Sequence, residues 1–360
     1  MIGRCSTMCD VILLLSLTSL GTVFLTRYAE VASRNSPSEF PAAEMTSSDE
    51  ELDGKSPPSG PSGPGTGTSV SQQTVDDVLR RVPDTRPAAC HSRKYQHLPV
   101  ATIVVVFNDY EFYDAKLTLA SILRDAELSH LVTEILLVDD ASSREQVLQD
   151  TQNYLRSVSK SLPVVRLVRL ARRMGRVEAR SLAVAQHVTN DVVVCVDAGV
   201  VCVPGWLSPL LDLVSSASDG QTTVAVPHYD HLSHPITLEY EETHSDLVAA
   251  LSWSLTIRMR RQLITQDTDD DGALWRTVPV LRGEVFAVRR SFLSSIGGLY
   301  DSRLEFGTGA GEHIDLSLRT WLCGGSIKVR ALLFHFSFQS QLSFLLALIN
   351  VLNHIAAMVL

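Results

Sequence analysis

Apolar residues in this chain fall into short runs, and helical spacing fills the gaps between them. Ala101–Phe107 reads ATIVVVF, an unbroken and mostly β-branched run. Strands covered on both faces of a parallel sheet have this character. Ala115–Arg124 then sets Leu117, Ala120, Ser121 and Leu123 at helical spacing. A second strand is expected over Glu134–Val138, followed by Asp139-Asp140-Ala141-Ser142, and a helix over Glu145–Ser157. Val164–Leu170 reads as a third strand, Val177–His187 as a helix, and Asp191–Val196 as a fourth strand ending at Asp197. Alternation of strand and helix at this spacing predicts an α/β fold with a doubly wound, mostly parallel sheet. Ligands bind such sheets at the carboxyl ends of the strands. The residues to watch are therefore Asn108, Asp109, Asp139, Asp140, Arg172, Arg173 and Asp197. The chain has no G-x-G-x-x-G and no G-x-x-x-x-G-K-[ST], which argues against a dinucleotide site of the common kind and against a P-loop.

The two ends follow a different pattern. Val11–Leu25, VILLLSLTSLGTVFL, is apolar but shorter than the span of about 20 residues that crosses a bilayer. It reads as a signal-anchor or as a cleaved signal peptide, and either sends the remainder into the secretory lumen. Residues 1–27 are assigned to this segment. Residues 28–80 form a stem rich in Ser, Pro and Gly, including PPSGPSGPGTGTS at Pro57–Ser69. Such a composition buries too little apolar surface to offset chain entropy and reads as a flexible spacer. The folded domain is expected over 81–340. Leu342–Leu360 contains no Asp, Glu, Lys or Arg. It reads as a second membrane helix, a buried helix, or a tail that is not the natural end of the domain.

Composition narrows the classes. The chain has 360 residues, 45% hydrophobic and 20% charged, which is ample for a core and inconsistent with general disorder. Lys+Arg is 31 against Asp+Glu 40, a net charge of −9, so the basic footprint of a nucleic-acid-binding protein is missing.

At several of these positions the chain resembles the polypeptide N-acetylgalactosaminyltransferases. The matching stretches are Arg81-Val82-Pro83-Asp84-Thr85-Arg86 with Cys90, then Thr102–Phe107, then Glu134–Ser142. Asp197-Ala198 with Cys202 and Gly205-Trp206-Leu207 resembles the family's D-x-H-x-x-C-x-x-x-W-L stretch. Gly311-Glu312-His313 and Leu316–Gly325 resemble its G-E-N…S-x-R-x-W-x-C-G-G block. The resemblance runs in order over about residues 81–330. It implies a GT-A fold in a single-pass type II protein of the Golgi membrane with a lumenal domain. It also implies transfer of GalNAc from UDP-GalNAc to Ser or Thr of protein acceptors, with Mn²⁺ as cofactor and membrane attachment through the N-terminal anchor. In the family a lectin domain usually follows; here the sequence reaches the apolar Leu342–Leu360 instead, so the resemblance reads as divergent and C-terminally truncated.

Residue by residue, the resemblance makes Glu312 the acidic group beside the reaction centre. It assigns Phe107, Asp140, Arg173, Asp197 and Gly283 to nucleotide-sugar binding. A cation stabilises a diphosphate leaving group by neutralising its developing charge. For that role the family uses an Asp, a His two residues on, and a later His. Asp197 supplies the first, Gly199 stands where the His is expected, and His335 is the nearest candidate for the third. Other departures are Val106 for a Thr, Glu178 for the first of two later arginines (Arg180 being kept), and Arg282 and Glu284 around Gly283, where the family has small residues beside the sugar. The family's disulfide partners for Cys90 and Cys323 have no counterpart in the sequence, so few bridges are expected, with Cys195 and Cys202 as inert core thiols. Three readings follow: a GalNAc-transferase, a catalytically inactive relative that binds or regulates partners in the secretory pathway, and a transferase with altered donor or metal dependence. Gly199 and Arg282 discriminate among them. Two further patterns are read as loops without metal: His228, His231 and His234 in PHYDHLSHP, and the acidic run Asp267–Gly272.

Overall fold

The computed structural model describes residues 75, 79–80, 94–161, 163–215, 219–232, 240–241, 247–252, 257–261, 267–268, 274–300 and 311–337. The anchor, the apolar tail and most of the stem lie outside them; Val75 and Leu79, near the stem's end, are helical and buried in a cluster with Leu117, Val201 and Val203. Among the described residues no helix is long and apolar enough to cross a membrane.

The chain begins with β1 (Ala101–Phe107), α1 (Phe112–Leu123), α2 (Leu128–Leu131), β2 (Val132–Asp139), α3 (Glu145–Ser157), β3 (Val164–Arg169), α4 (Arg176–Gln186) and β4 (Val192–Asp197). It continues through β5 (Val200–Cys202), α5 (Ser208–Ser215) and β6 (Thr223–Leu232), then the short strands β7 (Tyr240–Glu241), β8 (Leu247–Leu251), β9 (Ile257–Arg261), β10 (Asp267–Thr268) and β11 (Leu274–Thr277). β12 (Val285–Arg289), α6 (Arg290–Ser295), α7 (Gly311–Leu322) and β13 (Ser326–Ser337) follow. The main sheet has the order β10-β11-β13-β6-β12-β4-β1-β2-β3, with β5 paired to β13 and β7 to β6. β4, β1, β2 and β3 are parallel, as the strand–helix alternation predicts; β12 joins antiparallel to β4.

The period of two in β1 sorts its side chains onto two cores. Ala101, Ile103, Val105 and Phe107 pack with residues of α1, α3 and α5, whereas Val104 and Val106 pack with residues of α4, α6 and α7. All are essentially inaccessible to solvent. Burial of each such branched side chain is worth about 1.5–3 kcal/mol, which is why the run is apolar on both faces.

Register decides what the sheet presents at its edge. Val106 pairs with Asp197 and Phe107 with Asp139, so β1, β2 and β4 end level. The Asp197 N–H donates to the Glu284 carbonyl at 2.8 Å. That bond brings the Arg282-Gly283-Glu284 segment, at the start of β12, to the same edge.

Three expectations are corrected. PHYDHLSHP is not a loop at its start: β6 runs through His228 and on to Leu232, beside β13. Pro227 is tolerated there because the β6–β13 register breaks between Val329 and Phe334, where no ladder N–H is required of it. Asp267 and Thr268 pair with Trp275 and Leu274 as a strand edge, so the acidic run is not wholly a loop. Cys323 is disulfide-bonded, against the expectation that it has no partner; that partner lies outside the described residues. Cys195 and Cys202 are free and buried, as the sequence reading has them.

Candidate functional site

Asp197 ends β4 and is 7% exposed. A carboxylate withdrawn this far from water needs compensation, and two guanidinium groups supply it. Arg180 Nη2 donates to Asp197 Oδ1, and Arg176 Nη1 donates to Asp197 Oδ2 at 3.1 Å. Arg180 is fully buried on α4 and also donates from Nη1 to the Tyr300 hydroxyl at 3.3 Å. Burial pulls the Arg180 pKa down, but the Asp197 charge together with Tyr300 and Cys195 outweighs it and the net shift is upward. The pair is therefore a fixed ion pair.

Arg176 bridges further. Its Nη2 lies 3.5 Å from Glu312 Oε1. Arg176 opens α4, where the positive end of the helix dipole disfavours a cation. The two carboxylates in front of it account for its being there. Its side chain remains 40% exposed, so this guanidinium faces solvent while Arg180 does not.

Glu312 and His313 belong to the first turn of α7 and are 2% and 9% exposed. His313 Nε2 lies 3.7 Å from Glu312 Oε1. Burial pushes the His313 pKa down, against the pull of Glu312 and other carboxylates, so the ring is biased to its neutral form. Ser317 locks this turn, donating to the His313 carbonyl at 2.5 Å and accepting from the Leu281 N–H at 2.8 Å. The His313 ring fills the space at Gly283: a Cβ there would lie 2.0 Å from its Cε1 and Nδ1. Arg282 donates to Glu284 Oε1 at 2.8 Å and sits over the Tyr229 ring at 5.0 Å. Among the described residues Glu284 Oε2, Glu312 Oε2 and His313 Nδ1 are buried without a hydrogen-bond partner. Polar atoms left so are uncommon in folded proteins and mark places where a ligand or water completes the bonding.

The other residues singled out from sequence have structural duties at the same edge. Both oxygens of Asp140 accept backbone N–H groups, from Met174 and Gly175, each at 2.8 Å. Asp140 thus pins the turn that delivers Arg176. Gly175 has φ of +86°, a conformation glycine adopts at no steric cost. Asp109 accepts from the N–H groups of Ser143 and Arg144, both at 2.9 Å, and so holds the start of α3. Phe107 is fully buried and its ring packs on Phe112 at 5.6 Å. Arg173 is exposed and lies over the Tyr110 ring at 5.9 Å. The backbone of His335 pairs with Cys202, whereas Ser337 pairs with Val200, next to Gly199. The register therefore sets position 337, rather than 335, beside the position where the second metal ligand is expected.

Mn²⁺ finds a poor fit among these groups. Both Asp197 oxygens already face a guanidinium. Gly199 brings no ligand, and its φ of +93° is strained for any side chain-bearing residue, so the turn is shaped for glycine. Among the described residues no three His, Cys, Asp or Glu side chains group to hold a metal ion. Sequence reasoning missed Arg176 as a site residue and also Glu111. The Glu111 pKa is raised by burial, against the pull of Arg176, so it lies in the field of this cluster. The available signal for Arg176 was a charged residue directly after a glycine where a helix begins, a place that favours acids.

Comparison with known proteins gives the relationships. The profile of the family described as Glycosyl transferase family 2 matches residues 102–297. Polypeptide N-acetylgalactosaminyltransferase 5 of Mus musculus is 32% identical over 70% of this chain, and polypeptide N-acetylgalactosaminyltransferase 3 of Drosophila melanogaster 29% identical over 69%. The chain spans 26% and 36% of the lengths of these two relatives. In three dimensions it is similar to the crystal structure of GalNAc-T7 with UDP, GalNAc and Mn²⁺, with a TM-score of 0.64 and 23% identity, over 74% of this chain and 49% of that one. That similarity establishes the GT-A fold.

Proposed function

We propose that this chain, which belongs to glycosyl transferase family 2, binds UDP-GalNAc at the carboxyl ends of β1, β2 and β4 and transfers GalNAc to Ser or Thr hydroxyls of protein acceptors. The observation that carries this reading is the convergence of Asp197, Glu284, Glu312, Arg176 and Arg180 at the strand edge where sheets of this type hold nucleotides. Arg176 is the half-exposed cation placed to meet a diphosphate, and Arg180 fixes the carboxylate behind it. Glu312 offers an unpartnered buried oxygen to a sugar or acceptor hydroxyl. Arg173 and Tyr110 form the outer rim. Mn²⁺, which the family resemblance implies, does not fit the described residues, and no step is derived through it. The N-terminal apolar segment places the protein, in this reading, as a single-pass type II protein of the Golgi membrane with its folded domain in the lumen.

A second reading, a catalytically inactive relative that binds partners in the secretory pathway, is favoured by one contact. The His313 ring occupies the space at Gly283, the one small residue between Arg282 and Glu284. The test is incubation of the purified chain with UDP-GalNAc and a Ser/Thr peptide, read by mass spectrometry of the peptide. Transfer that falls at least a hundredfold in Glu312→Gln supports the first reading. UDP binding without transfer supports the second, and absence of both removes the nucleotide-sugar site altogether.

A further inference from the structure

The Asp197 carboxylate carries two cationic partners, one on each oxygen. The buried one, Arg180, is also tied to Tyr300, which fixes it in place. The outer one, Arg176, shares itself between Asp197 and Glu312, and its 3.5 Å contact to Glu312 is too long for a hydrogen bond. The Asp197 and Glu312 carboxylates are answered by these two guanidiniums, as Glu284 is by Arg282. Adding a divalent cation at Asp197 would require displacing an arginine. Guanidinium groups bind phosphate oxygens bidentately and keep their charge at any working pH. Fixed arginines aimed at developing phosphate charge perform the task otherwise given to a metal.

We infer that the guanidinium groups of Arg176 and Arg180 take the electrostatic place of a divalent cation at Asp197, so that a nucleoside diphosphate binds at this strand edge without metal. Two further features agree with it. The turn at Gly199 has adopted a conformation that only glycine takes without strain, so the position of the second ligand is closed by the backbone as well as by the missing side chain. Arg176 is held in place from behind: Asp140 clamps the N–H groups of Met174 and Gly175, the two residues before it. Arg180 supplies the fixed half of the charge and Arg176 the half that can turn outward to a phosphate.

This rests on reading the edge as a nucleotide-sugar site, and the experiment separates the two. The probe is UDP, titrated calorimetrically into the chain after dialysis against EDTA and again with Mn²⁺ added. The expected result is a dissociation constant unchanged within about twofold between the two conditions, weakened at least tenfold in Arg176→Gln. Thermal unfolding of that variant confirms that it folds, because its side chain is half exposed. Paramagnetic resonance of Mn²⁺ with the chain alone should show the free-ion signal undiminished. Binding that appears only with Mn²⁺, or an Arg176→Gln variant that binds as well as the parent, overturns the inference and leaves the nucleotide reading standing. No UDP binding in either condition overturns both.

Discussion

The Arg180–Asp197 pair makes a quantitative prediction about stability. In Arg180→Met the aliphatic stem is kept and the guanidinium removed. Asp197, 7% exposed, is then left with Arg176 alone, whose side chain is 40% exposed and partly screened by water. Removing one partner of a buried ion pair costs about 3–5 kcal/mol, because the other charge stays desolvated. Arg176 offsets part of that, so a loss of about 3 kcal/mol is expected. Arg176→Met removes a half-exposed partner, and such pairs contribute about 0–1 kcal/mol. The assay is urea unfolding followed by circular dichroism. With a slope of up to about 3 kcal/mol per molar, Arg180→Met should lower the midpoint by roughly 1 M or more, and Arg176→Met by no more than about a third of that. The double variant Arg180→Met, Asp197→Leu should recover most of the loss, since a buried pair replaced by apolar groups is often neutral. Equal midpoints for the two single arginine variants, or no recovery in the double variant, would refute the reasoning that Arg180 is the buried neutraliser.

Three further outcomes are expected. The Asp114 carboxyl is pushed up to about 7, first by burial and then by the Glu111 charge; its folded pKa is therefore raised, the native state holds the extra proton, and stability should fall as pH rises from about 4 to 7. Asp114→Asn should flatten that slope and be more stable than the parent at pH 8, by on the order of 2–4 kcal/mol, as read by unfolding at several pH values. Gly283→Ala places a methyl group 2.0 Å from the His313 ring, so either the ring moves or stability falls by about 1–3 kcal/mol; a thermal unfolding temperature equal to that of the parent, with an unmoved His313 ring, would contradict the contact. Burial pushes the Cys195 thiol up to about 12 and raises that of Cys202 as well, so neither should react with iodoacetamide at pH 8 in the native state, and both should react once the chain is unfolded in urea.

The apolar pattern determined the central elements because β1 and β4 had to be covered on both faces. Glu145–Ser157 is a helix with the predicted bounds, and Ala101–Phe107 a strand with the predicted bounds. The glycosyl transferase relationship was also legible, since its motifs lie in order along the chain. The sequence even located the edge on which Asp140 and Asp197 sit, because residues that follow parallel strands collect at one end of the sheet. What it left open was how the charges there are spent. Asp140 looks like a ligand residue, yet both its oxygens hold the backbone before Arg176. Arg176 looks like an ordinary charged residue in a helix, yet it joins Asp197 to Glu312 across more than a hundred residues of chain. The antiparallel arrival of β12 is equally invisible to periodicity, and with the Ser317 bond to the Leu281 N–H it puts Gly283 under His313. Periodicity reports which face of an element is buried, and that follows from local spacing. The partner of a buried charge depends on which elements meet, and only the tertiary structure decided that Asp197 is answered by arginines.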